Sequence, residues 1–359
     1  MGYSAEERAL IWLGACVALD PREKTALLNA APSAKILYEN FEKFCAEVIF
    51  KDKKGVYKKS SLKEREKELY AVLAKLEEKH FFAVTVASED YPESLAAIDN
   101  PPLVLYGAGN RELLRKKMFC IVGSRRTPPY AEVFGSRIAE ELASQFAIVT
   151  GLAEGGDSAA LKGALKGGSA ICVLPCGLDE CYPASHISLK ERVIKEGLLL
   201  TEYPLGEKVK KYSFHARNRI LAGLTSGTLV LSAGEKSGAL ITADYALNFG
   251  REVFALPYGV GTTQGVGCNL LIKRGAFLCD CTQDVLDVFG IYLPEEKAAP
   301  ELSEEEQKIA DVLMDGEELH SAVISERSGL PIYEVAALLT ELEIKGVVVK
   351  VGGNQYKRI

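Results

Sequence analysis

Between Phe82 and Leu256 short apolar runs alternate with helical stretches, and this alternation limits the fold more than any other feature of the chain. The runs are Val104-Leu105, Phe119 to Val122, Ala147 to Val149, Ala170 to Leu174, Leu198 to Leu200, Thr228 to Leu231 and Val253 to Leu256. Amphipathic stretches such as Tyr130 to Ser144 and Asp157 to Lys166 lie between them, the second stopped by Gly167-Gly168. Strands alternating with helices at this spacing predict an α/β fold: a central Rossmann-like, doubly wound parallel sheet over residues 82–290. In such sheets ligands sit beyond the carboxyl ends of the strands, at a topological switch point.

The flanks read differently. Residues 1–81 form a helical module: Ala9 to Ala18 is apolar, Pro21 breaks it, and Lys24 to Ala30 resumes before Pro32. Ser61 with Glu64 is a capping box, and Leu62, Leu69, Leu73 and Leu76 keep helical spacing behind it. Lys51 to Lys59 reads as a solvated loop. Residues 291–302, with Pro294 and Pro300, read as a linker. Beyond them, Ser303 with Glu306 opens a helix ending near Gly316. Leu319 to Ser328 and Ile332 to Lys345 are two more, and a Val347-rich hairpin closes the chain. Three helices and a hairpin over 303–359 are winged-helix organisation.

Of the 359 residues, 48% are apolar and 26% charged, enough to bury a core and to exclude global disorder. The apolar runs are too short for a membrane span, and the acidic N-terminus has neither the charge pattern of a signal peptide nor a myristoylation site. A cytoplasmic protein without membrane contact is expected. Nine cysteines, from Cys16 to Cys281, are then expected reduced, and none makes the paired C-x2-C spacing of a zinc site, so no metal and no cofactor are expected. Charge is uneven. Residues 291–359 carry 7 Lys/Arg against 14 Asp/Glu, whereas residues 1–85 carry 15 against 13, so a polyanion must meet a patch outside the last segment.

That patch is Lys208 to Arg219, KVKKYSFHARNR, with five cations and two aromatic rings in twelve residues of a chain of net charge −6. Cations that neutralise phosphates, alternating with rings on which bases stack, suit single-stranded nucleic acid. Phe214 is a stacking candidate; Lys211, Arg217 and Arg219 supply charge, and Asn218 a directional donor and acceptor. Arg217 or Arg219 could instead pair with Glu202 or Asp244 in the core. Gly123-Ser124-Arg125 follows the strand ending at Val122: the glycine lets backbone approach a phosphate, Ser124 can donate, and Arg125 can bind bidentately. Gly151 opens the loop Gly151 to Asp157, with Asp157 expected to cap the next helix. Ser237-Gly238 opens another helix, with Lys236 adding charge. Neither a nucleophile elbow, nor a zinc-protease motif, nor a phosphate-loop lysine is present, which favours a binding protein over an enzyme.

These pieces, in this order, resemble the DNA-processing protein A family, also called Smf. The matches are PPLVLYG at 101–107, GSR at 123–125, GLAEGGD at 151–157, CGLDECYP at 176–183, GLLLTEYPLG at 197–206, FHARNRILAGL at 214–224, SGALITADYAL at 237–247 and GREVFALP at 250–257. A helical (SAM/HhH-like) start and a winged-helix end also fit. The resemblance implies a non-enzymatic, dimeric protein that binds single-stranded DNA and helps load the RecA recombinase in natural transformation. Arg125, Lys211, Arg217 and Arg219 would touch DNA. The chain departs from the family pattern at Gly156, Leu161, Ala184, Ile187, Ser232 and Tyr258. Another reading, a nucleotide-processing enzyme of the phosphoribohydrolase group, would use Gly259 to Thr262, but that group needs a glutamate where Thr263-Gln264-Gly265 follows. A transcription regulator acting through the winged helix is a third.

Overall fold

The computed structural model describes residues 2–17, 19–48, 61–292, 302–313 and 317–358. The Lys51–Lys59 stretch, most of the expected linker and the expected helix end near Gly316 lie outside them. The chain divides into two compact units, Met1–Gly290 and Ile291–Ile359.

In the first unit a nine-stranded sheet has the order β1-β2-β6-β5-β4-β3-β7-β8-β9. The strands are β1 Phe82–Thr85, β2 Val104–Gly109, β3 Met118–Val122, β4 Ala147–Thr150, β5 Ala170–Val173, β6 Leu198–Thr201, β7 Gly227–Val230, β8 Glu252–Ala255 and β9 Phe277–Leu278. From β6 to β9 every neighbouring pair is parallel, in line with the helical crossovers between them.

The Val104-Leu105 run departs from the all-parallel expectation. β2 pairs antiparallel with both β1 and β6. The connection from β2 to β3 holds only the 3-10 turn Arg111–Arg115. So short a link cannot return along a strand, and it joins β2 to β3 only because the two run in opposite directions.

β3 is the switch strand. β4, β5 and β6 are laid down on one side of it and β7, β8 and β9 on the other, so the loops after β3 and β7 part at the carboxyl end and leave a crevice. Helices Pro129–Leu142, Gly156–Lys166, Ser213–Leu224 and Gly238–Asn248 are among those that cover the faces. The rings of Phe119, Phe146 and Phe254 meet at centroid distances of 5.6 Å in the core.

The helical start belongs to this unit. Serine and aspartate caps begin its helices Ala5–Ala15, Pro21–Ala30 and Leu62–Glu78, each closed by a glutamate three residues on. Pro21 stands at the first helical position, where its missing N–H costs nothing. Trp12 packs edge-on against Phe41 at 4.8 Å and donates to Glu68 at 3.0 Å. The Ala83 amide of β1 donates to the Tyr3 hydroxyl, tying the bundle to the sheet edge.

The second unit holds helices Glu304–Val312, Ser321–Ser328 and Ile332–Ile344 and a three-stranded sheet in which Gln355–Arg358 is central. Ser303 and Glu306 form the capping box expected from their spacing. The segment from Leu319 begins as a short strand, Leu319–His320, before its helix. Ile309, Leu313, Ile324, Val335, Leu339, Leu342 and Val348 make its core.

Candidate nucleic-acid interface

A cleft of about 650 Å3 opens at the switch point. It is lined by Gly123, Ser124 and Arg125 after β3, by Ala153 and Asp157 after β4, and by Ser237, Gly238, Ala239 and Thr242 beyond β7. Lys210, Lys211, Phe214, His215, Arg217, Asn218 and Tyr182 also line it, with the apolar Val122, Val209 and Leu221. The helices starting at Gly156, Ser213 and Gly238 all present their first turns here, so three positive dipole ends share one space.

Arg125 and Lys211 are exposed cations at this opening. The Arg125 guanidinium lies 5.2 Å from the Phe214 ring centre and 6.0 Å from that of Tyr182, while the two rings meet edge to face at 5.5 Å. The planar cation thus shares an aromatic slot with both rings. Lys210 is paired with Glu207, and that hydrogen bond holds its ammonium above the ordinary lysine value.

The two arginines of the RNR motif part company: Arg217 lines the cleft and Arg219 does not. Arg217 is only 4% exposed: it donates to the Val173 carbonyl at 2.8 Å and faces the Asp157 carboxylate at 3.9 Å on the cleft floor. Asp157 does not cap its helix. The cap is Gly155, and the Asp157 carboxylate turns inward, where it accepts from the Gly123 amide. Burial pushes the Asp157 carboxyl up, with the Arg217 charge opposing. Gly151 is not in the lining. A Cβ there would come within 2.3 Å of both Arg217 Nη1 and Asp157 Oδ2, so a glycine makes room for the pair.

Arg219 points away from the cleft. It is buried, pairs with Glu202 and borders a separate small cavity with Lys24 and Pro101. One turn of helix cannot send residues 217 and 219 to the same face, and both find carboxylates in the fold; Arg219, expected to touch DNA, thus lies outside the cleft lining. Asn218 Nδ2 donates to the Gly238 carbonyl at 3.2 Å, fixing the Ser237-Gly238 turn against the RNR helix. Lys236 is exposed but outside the lining, as is the Gly259 to Thr262 turn.

Tyr182, His215 and Thr242 join the site without having been expected there. Tyr182 carried a signal, the CGLDECYP match. His215 stood inside the basic run, whereas nothing local marks Thr242.

The model of the family described as DNA recombination-mediator protein A matches residues 82–290, more than half of the chain. The chain belongs to that family. A second family model, described as the DprA winged helix domain, matches residues 293–354. Protein Smf of Escherichia coli is 36% identical over 303 residues, covering 81% of each chain. Among solved structures, DNA processing protein A of Streptococcus pneumoniae superposes with a TM-score of 0.65 at 29% identity, over 80% of this chain and 98% of that one. DNA processing protein A of Helicobacter pylori, studied for its single-stranded DNA binding mode, gives 0.53 at 31% identity, over 59% and 97%. None of the helices in the described residues is long and apolar enough to cross a membrane.

Proposed function

We infer that this chain binds single-stranded DNA in the switch-point cleft, and that it serves as a binding mediator rather than an enzyme. The observation that carries this reading is the slot formed by Phe214, Tyr182 and Arg125, set beside Lys211 and three helix N-termini. Rings that line an open cleft stack bases of any sequence, and cations and helix ends receive the phosphates between them. A double helix keeps its bases stacked inside and offers such a slot nothing to hold. Family membership and the Helicobacter relative add support, and loading of a RecA recombinase by a homodimer is the further step this reading carries.

Binding of the purified protein to single- and double-stranded oligonucleotides across a salt series tests it. Single strands should be preferred, with affinity falling as salt rises. Equal affinity for both forms would refute the slot reading.

A further inference from the structure

The loop that carries Arg125 is held by a ring of hydroxyls whose proton directions can be worked out. The Ser232 side chain, on the loop after β7, is fully buried. Its Oγ lies 3.1 Å from the Ser124 amide, 3.0 Å from Ser124 Oγ and 2.6 Å from Thr127 Oγ1. Thr127 Oγ1 also lies 2.7 Å from the Ser124 carbonyl, which can only accept.

Each hydroxyl has one proton to give. Thr127 gives its proton to the Ser124 carbonyl. The Tyr258 hydroxyl, which donates to the Leu231 carbonyl, also neighbours Ser232, but the 2.6 Å contact with Thr127 takes the Ser232 proton, which leaves Ser232 Oγ as an acceptor toward Ser124. Ser124 therefore spends its proton inward, on Ser232. The backbone agrees: the Ser124 amide donates to the Ser232 carbonyl at 3.0 Å, and the Gly156 amide to the Ser124 carbonyl at 3.2 Å.

We propose that Ser232 is a positioning residue that takes the Ser124 proton and, through Thr127, sets the loop that presents Arg125. From its place at a strand end Ser124 was expected to donate to a phosphate; in the ring its hydroxyl meets a ligand as an acceptor, and the phosphate is left to Arg125. The proposal rests on the single-strand reading for its binding arm only.

The test is a cycle of variants in the full chain, with a fluorescent oligothymidylate as probe. Ser124→Ala and Ser232→Ala should each weaken binding roughly tenfold, and the double variant no more than either, because each breaks the same ring. Thr127→Val should behave like them, while Thr127→Ser, which keeps the hydroxyl, should stay close to wild type. Additive losses, roughly hundredfold for the double variant, would overturn the ring, since Ser124 would then be contacting the strand on its own account. The same cycle read as Tm needs no ligand. If the wild-type chain binds no single strand, the functional reading fails, and Tm alone decides the ring: non-additive shifts support it and additive shifts overturn it.

Discussion

Helices Ser213–Leu224 and Ile332–Ile344 belong to different units and bury opposite things. The first buries its charge. Arg217, Asn218 and Arg219 are all under 9% exposed, and two of them are matched by the carboxylates of Asp157 and Glu202. The second buries Val335, Leu339 and Leu342 and turns Glu341 and Glu343 outward, with Tyr333 71% and Ile344 82% exposed. The cation at its C-cap, Lys345, pairs with Glu306. Charge counted along a sequence is therefore not charge offered to a ligand. The RNR cations build the cleft floor and the core, so in the proposed single-strand reading the phosphate charge is assigned to Arg125 and Lys211. The winged-helix unit, whose third helix would enter a groove in DNA readers, presents carboxylates there.

The contrast is tested hardest at Arg217. If its role is structural, Arg217→Ala leaves the buried Asp157 carboxylate without a countercharge and should cost about 3–5 kcal/mol in denaturant unfolding. A loss of affinity with unchanged stability would make Arg217 a ligand contact instead. A smaller effect is expected at Phe214. Phe214→Ala should cost about 1–3 kcal/mol of single-strand binding, measured by titration, and little stability. Unchanged binding would remove the ring from the site.

The smallest effect is one of pH. Burial raises the Glu202 carboxyl above its ordinary 4.5, against the pull of Arg219. A carboxyl raised in the fold holds its proton more tightly there than in the unfolded chain. Its contribution is therefore fully present below that ordinary value and lost as pH climbs through the raised one. Glu202→Gln should flatten this decline in a series of unfolding curves; a slope equal to wild type would show that Glu202 does not titrate across that window.

The switch-point cleft was legible because strand runs, turn glycines and crossover helices are local, and so were the capping boxes at Ser61 and Ser303. What was not legible depends on partners far along the chain. A basic run reads the same whether its arginines meet water, phosphate or Asp157 and Glu202. The antiparallel edge at β2 follows from strand order, which no stretch of residues states by itself. The Ser124–Ser232–Thr127 ring joins two loops, and a serine on either looks free to serve a ligand.

The most direct test is the salt dependence of single-strand affinity in two double variants of the full chain. Arg125→Ala with Lys211→Ala should lower the slope of log affinity against log salt by about 1.4, near 0.7 for each phosphate no longer neutralised. Lys350→Ala with Lys357→Ala, in the winged-helix unit, should leave it unchanged. The reverse pattern would place the strand on the winged helix and contradict the assignment of phosphate charge to Arg125 and Lys211.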